Sequence, residues 1–496
     1  MIELKDVSFH YMGEVKNGVD NVNLKIQAGE CVLFCGRSGC GKTTITRLIN
    51  GLIPNFYEGE LQGKVFLNGQ DIKEIPMYKM SEMIGSVFQS PKAQFFNVDT
   101  DSEIAFGVEN LSLPQEKIEE RVNHAVSALN IEGIMGKNVL ELSGGEKQKV
   151  AIASIYAMSP QVYVMDEPSS NLDMDAIEEL KKILKYLKEM GKTIIIAEHR
   201  VYYLKDIVDR VIYIEDGKLQ DEFTREQFNH LSKVERIEKG LRDSNLEQIQ
   251  LPDKTINGKK RKRLELNNLN VCYKKKCVLS NINYTAYEND IVGVIGHNGA
   301  GKTTLMRTLC GLHKDYGGQI ICDGNQVKQK ALQRSSYMVM QEVGYQLFAD
   351  SVINECGFGI KNPDYDLIRH TLKELGLEKY KEKHPYSLSG GQKQRVAAAV
   401  SKICRKNILI FDEPTSGLDF DSMVKVSDLV KKLARENKVI FVVTHDYEFL
   451  MNTCSRILHL DKAGIAEAYD LNVHTEKRVK GFFLNEKETK QCQIRN

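Results

Sequence analysis

Gly36-Arg37-Ser38-Gly39-Cys40-Gly41-Lys42-Thr43 returns later in the chain as Gly296-His297-Asn298-Gly299-Ala300-Gly301-Lys302-Thr303. Each copy follows a short apolar run, Val32-Leu33-Phe34-Cys35 in the first and Ile291-Val292-Gly293-Val294-Ile295 in the second. Runs of this kind read as strands buried in a parallel sheet. A strand, a loop of the form GxxxxGK[ST] and a helix together make a phosphate cradle. The glycines let backbone N–H groups close around an anion, and the helix N-terminus adds partial positive charge. Gly36, Ser38, Gly39 and Gly41, and Gly296, Asn298, Gly299 and Gly301, form the two loops. Lys42 and Lys302 are expected to reach β- and γ-phosphates. Thr43 and Thr303 are expected to place a hydroxyl on Mg²⁺, and Thr44 and Thr304 to donate to the α-phosphate.

The repetition extends well beyond the loops. Leu142-Ser143-Gly144-Gly145-Glu146 returns as Leu388-Ser389-Gly390-Gly391-Gln392. Ser143 and Ser389, Glu167 and Glu413, and His199 and His445 are each 246 positions apart, whereas Lys42 and Lys302 are 260 apart and Gln89 and Gln341 252 apart. The second copy is therefore shortened in its first half and unaltered in length in its catalytic half. Val162-Tyr163-Val164-Met165 ends in Asp166-Glu167-Pro168, and Ile408-Leu409-Ile410-Phe411 ends in Asp412-Glu413-Pro414. Paired carboxylates at a strand end can divide two tasks, Asp166 and Asp412 holding Mg²⁺ while Glu167 and Glu413 polarise the attacking water. A general base in that position contributes roughly 10²–10⁴ in rate. His199 and His445 follow a further apolar strand, and their shared offset marks them as functional, with a hydrogen bond to the γ-phosphate as the expected role.

A chain of 496 residues is too long for one core and fits two domains. With 68 basic and 67 acidic residues the net charge is +1, which excludes a global field for nucleic acid or acidic membrane. No stretch approaches the roughly 20 apolar residues needed to cross a bilayer. Met1 to Asp6 lead directly into a strand pattern, and 11 cysteines are scattered without framework spacing, which points to a reducing cytoplasm. Cys31, Cys35 and Cys40 read as core thiols, with Cys40 expected to be accessible. No histidine or second cysteine pair accompanies them at zinc spacing.

The fold expected is α/β, two tandem P-loop NTPase domains. The first spans residues 1–220, a charged linker 221–263, the second domain 264–464 and a polar tail 465–496. Pro252 to Arg263 holds Pro, Gly and the run Lys259-Lys260-Arg261-Lys262-Arg263, which reads as solvated linker.

The residues quoted so far resemble the ATP-binding-cassette superfamily over nearly the whole of both halves. Leu-Ser-Gly-Gly followed by Glu-Lys-Gln-Lys (142 to 149) or Gln-Lys-Gln-Arg (388 to 395) is similar to that family's signature. The resemblance implies a parallel-sheet core, an antiparallel β-subdomain and a helical signature subdomain in each half. It assigns Gln89 and Gln341 to Q-loops that reach the nucleotide and its Mg²⁺, Tyr11 and Tyr273 to adenine stacking, and Ser170-Asn171-Leu172-Asp173 and Ser416-Gly417-Leu418-Asp419 to D-loops. It further implies head-to-tail sharing of two ATP molecules. Ser389, Gly390 and Gly391 would complete the Lys42 site, and Ser143, Gly144 and Gly145 the Lys302 site. Tethering would make that closure intramolecular, at an effective concentration on the order of mM. Neither half lacks a lysine, glutamate, signature serine or histidine, so two hydrolytically competent sites are expected.

Val87-Phe88-Gln89-Ser90-Pro91, with Gln94-Phe95-Phe96 and Glu103-Ile104-Ala105-Phe106-Gly107, resembles the ATPases of energy-coupling-factor importers of vitamins and metal ions. Val339-Met340-Gln341, with Tyr345-Gln346-Leu347-Phe348, resembles the second half of fused versions. That resemblance implies two membrane partners, a coupling subunit and a small substrate-binding subunit, and a place on the cytoplasmic face of the membrane, with no nucleic-acid partner. Phe95, Phe96, Leu347 and Phe348 are the candidates for lining the grooves in which coupling helices dock. Glu342-Val343-Gly344 stands where the first half has Ser90-Pro91-Lys92, so the grooves need not bind identical helices. Two rivals share the duplication. A tandem cassette translation factor on the ribosome would carry a longer charged hairpin between cassettes, and the tandem ATPase of a sugar or nucleoside importer would commonly diverge at catalytic positions.

Overall fold

The computed structural model describes residues 1–12, 18–170, 172–251, 260–273, 276–461 and 464–484. The chain divides into two units, Met1–Ser244 and Asn245–Asn496.

In the first unit β1 (Ile2–Tyr11), β2 (Gly18–Ile26), β4 (Gly59–Leu67) and β5 (Gln70–Asp71) form an antiparallel sheet in the order β2-β1-β4-β5. Alternation within it puts Ile2, Leu4, Val7 and Phe9 on the inner face. The second sheet has the order β10-β9-β3-β8-β7-β6, from β3 (Cys31–Cys35), β6 (Ile84–Val87), β7 (Val162–Asp166), β8 (Thr193–Ala197), β9 (Arg210–Glu215) and β10 (Lys218–Thr224). All its pairs are parallel except β9–β10. β3 and β8 are buried along their whole length, as uninterrupted apolar runs require. The parallel core places the ends of β3, β7 and β8 side by side, where the phosphate loop, the carboxylate pair and the histidine emerge.

The second unit repeats the plan. β11 (Lys262–Tyr273), β12 (Lys276–Tyr287), β14 (Tyr316–Cys322) and β15 (Asn325–Gln326) pair in the order β12-β11-β14-β15. β13 (Ile291–Ile295), β16 (Ser336–Val339), β17 (Ile408–Asp412), β18 (Val439–Val443), β19 (Arg456–Asp461) and β20 (Gly464–Asp470) pair in the order β16-β17-β18-β13-β19-β20.

Two intervals carry more structure than their composition suggests. Asp221–Thr224, expected in the linker, belong to β10, and two short helices with capping boxes follow, Arg225–Asn229 and Lys233–Glu238. The charges there are used internally: Lys239 pairs with Asp221, and Arg236 is buried, donating to the carbonyls of Leu231 and Phe228. Ile465–Asp470, expected in the tail, lie in β20, and the helix Glu476–Phe483 follows. Of the basic run, Lys260 pairs with Asp290, Lys262 with Glu265 and Arg263 with Asp323. Lys259 lies outside the described residues, as does Asn171 of the first D-loop.

Two cysteine expectations are corrected. Cys40 is 5% exposed and buried in the core of the first unit. Cys272 and Cys277, register partners across the β11–β12 hairpin, form a disulfide rather than two scattered thiols. Cys31 and Cys35 are core thiols, burial pushing Cys31 up to about 12.

Candidate active sites

The first phosphate loop leaves β3 through Gly36, Gly39 and Gly41, all at positive φ. Gly36 has no room for a side chain, since a Cβ there would come 2.1 Å from the Ile214 carbonyl oxygen. The helix Lys42–Ile49 starts with no side-chain cap and no acid in its first turn, so its N-terminal N–H groups and partial positive charge are directed into the loop. Lys42 curls back inside, its Nζ donating to the Gly36 and Arg37 carbonyls at 3.0 Å each. This arrangement fits an anion. In the second unit Gly296, Gly299 and Gly301 repeat the positive φ values, and Lys302 Nζ donates to the carbonyls of Gly296 at 2.6 Å and His297 at 3.1 Å.

Beside each loop a hydroxyl and a carboxylate converge. Thr43 Oγ1 donates to Asp166 Oδ1 at 3.3 Å, and Thr303 Oγ1 to Asp412 Oδ2 at 3.3 Å. Burial raises both aspartates, Asp412 to about 6, against the opposing pull of the threonine hydroxyl and the lysine. A hydroxyl and a carboxylate that bears this desolvation are a hard-oxygen pair suited to Mg²⁺.

Glu167 and Glu413 follow the aspartates at φ 45° and 51°, in the left-handed region. Each is pinned there by its own backbone N–H, which donates to the Ala197 carbonyl at 2.8 Å in one unit and the Val443 carbonyl at 2.9 Å in the other. His199 Nε2 lies 3.6 Å from Glu167 Oε1, and His445 Nε2 lies 3.7 Å from Glu413 Oε1. The structure thus gathers threonine, aspartate, glutamate and histidine at the end of the parallel strands in both units. Burial, then Asp166, then Glu198 push the Glu167 carboxyl up to about 8, in the range suited to a general acid–base group near neutrality.

The Q-loop glutamines differ. Both are exposed, but Gln89 Nε2 donates to Glu167 Oε2 at 2.7 Å, whereas the backbone carbonyl of Gln341 accepts from Gln394 Nε2 at 3.4 Å. Tyr11 is tied to the phosphate-loop helix, its hydroxyl 3.3 Å from Thr44 Oγ1 and accepting from Arg47 at 3.0 Å. Tyr273 is half exposed and packs against His313 with ring centroids 4.5 Å apart.

Ser143 and Ser389 are exposed N-caps of different helices, Gly144–Met158 and Gly390–Ile403. Each closes a capping box. Ser143 Oγ accepts from the Glu146 N–H while Glu146 accepts from the Ser143 N–H, and Ser389 and Gln392 do the same. Their hydroxyls bond within their own caps and not to the lysine loop of the same unit.

Of the proposed groove residues, Phe96 and Phe348 are 76% and 69% exposed, Phe95 is half-buried, and Leu347 is 2% exposed, which removes it from any surface. The two exposed rings are presented alike. Buried Glu103 accepts from the N–H groups of Phe96 and Asn97 at 2.9 and 2.7 Å, and buried Glu355 from those of Phe348 and Ala349 at 2.6 and 2.7 Å. Sequence reasoning missed these two acids as positioning groups, although both sit 252 positions apart, like Gln89 and Gln341. It also missed Glu198, whose signal is an acid directly before His199.

Known proteins resemble this chain over most of its length. The pattern of the family described as "ABC transporter" matches residues 19–170 and 279–416. A protein of Treponema denticola named as an ABC transporter ATP-binding protein is 47% identical over 94% of this chain and 96% of its own length. YkoD of Bacillus subtilis, named for HMP/thiamine import, is 30% identical over 94% of this chain and 91% of its own. A solved structure of ribosome-bound archaeal Pelota and ABCE1 matches with a TM-score of 0.69 over 97% of this chain and 80% of that chain. At 21% identity that likeness is one of fold.

Proposed function

The chain belongs to the ABC transporter family and is an ATPase of that family, and from that premise we propose that it energises an importer of the energy-coupling-factor type, taking up a vitamin or metal-ion micronutrient. The observation that carries this reading is the matched presentation of Phe96 and Phe348 beside the Q-loop strands, each held by a buried glutamate. YkoD's name, which refers to thiamine import, supports the substrate class. No helix among the described residues is long and apolar enough to cross a membrane, so the translocation path would come from partner subunits at the cytoplasmic face.

In this reading Lys42, the loop N–H groups and Thr44 hold one ATP, completed by Ser389, Gly390 and Gly391. Lys302, its loop and Thr304 hold the other, completed by Ser143, Gly144 and Gly145. The signature N–H groups at each helix start would meet the γ-phosphate. Thr43, Asp166 and Gln89, and Thr303, Asp412 and Gln341, would hold Mg²⁺, which when bound neutralises developing charge on the phosphate oxygens. Glu167 and Glu413 take the proton of the attacking water, and His199 and His445 donate to the γ-phosphate. Tyr11 and Tyr273 flank the adenine. Coupling helices of a membrane subunit then follow the closure through the Phe96 and Phe348 turns.

Isolation of the tagged chain from membranes in mild detergent tests this directly. The expected companions are one polytopic subunit and a small hydrophobic substrate binder. Ribosomes without any integral membrane protein would overturn the transport reading.

A further inference from the structure

We propose that Glu198 is a positioning residue of the first ATP site, tying the His199 loop to Ser169, the residue before the D-loop segment, a task that the second unit performs with different side chains. This rests on the reading that both units hydrolyse ATP.

Glu198 sits at the end of β8 and is 2% exposed. Its Oε1 accepts from the Ser169 N–H at 3.2 Å, from the Ser169 hydroxyl and from the Tyr203 hydroxyl at 3.0 Å. Its Oε2 accepts from the N–H groups of His199 at 2.7 Å and Arg200 at 3.4 Å. One buried carboxylate thus gathers donors from two loops, which stabilises its charge and fixes both backbones. Ser169 directly precedes Ser170 of the D-loop segment, and His199 is the γ-phosphate candidate.

At the shared offset of 246, the second unit has Thr415 for Ser169, Thr444 for Glu198, Asp446 for Arg200 and Phe449 for Tyr203. There the acid has moved two residues along. Thr415 Oγ1 donates to Asp446 Oδ2 at 2.7 Å, and Asp446 Oδ1 accepts from the Phe449 N–H at 3.1 Å. Thr444 turns to the catalytic carboxylate, its Oγ1 3.5 Å from Glu413 Oε2, which also accepts from the His445 N–H at 3.3 Å. So the histidine loop is anchored on Glu198 in one site and on Glu413 itself in the other. Loss of Glu198 removes the bonds to the His199 N–H and to Ser169 together, whereas in the second unit the bond from Thr415 goes to Asp446 and that from the His445 N–H to Glu413.

The test uses the full-length chain, both wild type and carrying Glu413→Gln, with turnover and KM for ATP measured alongside melting curves. Turnover that remains in Glu413→Gln and is lost when Glu167→Gln is added to it identifies first-site hydrolysis, independently of Glu198. In that background Glu198→Ala is expected to lower kcat by roughly 100-fold, the size of effect that follows a misplacement of about 1 Å, with KM within about twofold. The transplant Ser169→Thr, Glu198→Thr, Arg200→Asp and Tyr203→Phe supplies the second unit's tie and is expected to restore most of the loss. Unchanged kcat in a folded Glu198→Ala overturns the proposal, as does a transplant that melts normally yet stays as slow. Should Glu198→Ala fail to fold, Ser169→Ala carries the test: a fall in kcat at constant KM supports the tie, and unaltered kcat overturns it. Turnover lost entirely with Glu413→Gln alone would instead contradict independent hydrolysis by the first unit. The wild-type background then decides on Glu198 by whether Glu198→Ala lowers kcat.

Discussion

Glu167 and Glu413 occupy a backbone region that costs a non-glycine residue about 1–2 kcal/mol. Both units keep the cost, and in both the result is a carboxylate turned to its histidine at the end of the parallel strands. Glu167→Gln and Glu413→Gln are therefore each expected to lower ATP turnover, and the double variant to lose roughly 10²–10⁴; steady-state assays that find one change silent and the other abolishing would remove the second site. The raised Glu167 carboxyl also links stability to pH. The unfolded chain releases this proton near 4.5 and the folded chain near 8, so the contribution is fully present below about pH 4.5 and is lost as pH rises through about 8. Thermal melts of nucleotide-free Glu167→Gln should accordingly lose less stability than wild type between about pH 5 and pH 8. Residue types and spacing made these side chains legible, because each loop, aspartate, glutamate and histidine recurs. Burial at single positions was less so. Leu347 and Phe348 are both apolar neighbours at a turn, and it takes the folded turn, held by Glu355 at the Phe348 N–H, to show that Phe348 is the one facing solvent. Cys40 is hidden because the loop winds it beneath Gly36, where an added Cβ would stand 2.9 Å from its sulfur.

The strands of the parallel cores were readable as apolar runs, and the glycine loops located the helices that follow them. Gly36→Ala should abolish ATP binding at the Lys42 loop and leave that at the Lys302 loop, so the stoichiometry in titration calorimetry should fall from two to one, because the new methyl group meets the Ile214 carbonyl at a positive φ. Ser143→Ala removes a capping box and should cost about 1 kcal/mol, seen as a lower melting temperature of the first unit. The intervals after β9 and β19 were harder to read, since their charge suggested solvent. Several of their charged groups pair locally, as Lys239 does with Asp221, and both segments turn back to the loop. Arg37 donates to Glu215 at 2.7 Å and to the Glu238 carbonyl at 2.6 Å, while Phe482 packs 5.5 Å from His297. Such pairings join residues far apart in the chain and have no local sequence signal, whereas the Cys272–Cys277 bridge spans only five residues and depends on the register of the β11–β12 hairpin.

Across the whole molecule, one plan has been used twice with specific departures at the Q-loop turn, at Glu198 and at Thr444. The paired variant Phe96→Ala and Phe348→Ala should keep the melting temperature within a few degrees while losing the membrane subunit in detergent pull-downs, since both rings are exposed and their turns are held by backbone bonds. In the proposed reading each ATP is completed by the signature of the opposite unit. The most direct measurement is MgATP binding by equilibrium dialysis to the Glu167→Gln, Glu413→Gln chain with Lys302→Ala added, leaving the Lys42 loop as the working cradle. Ser389→Arg should then weaken binding by about tenfold, a loss of about 1.4 kcal/mol, while Ser143→Arg leaves it unaltered. Weakening by Ser143→Arg, with Ser389→Arg silent, would contradict the account.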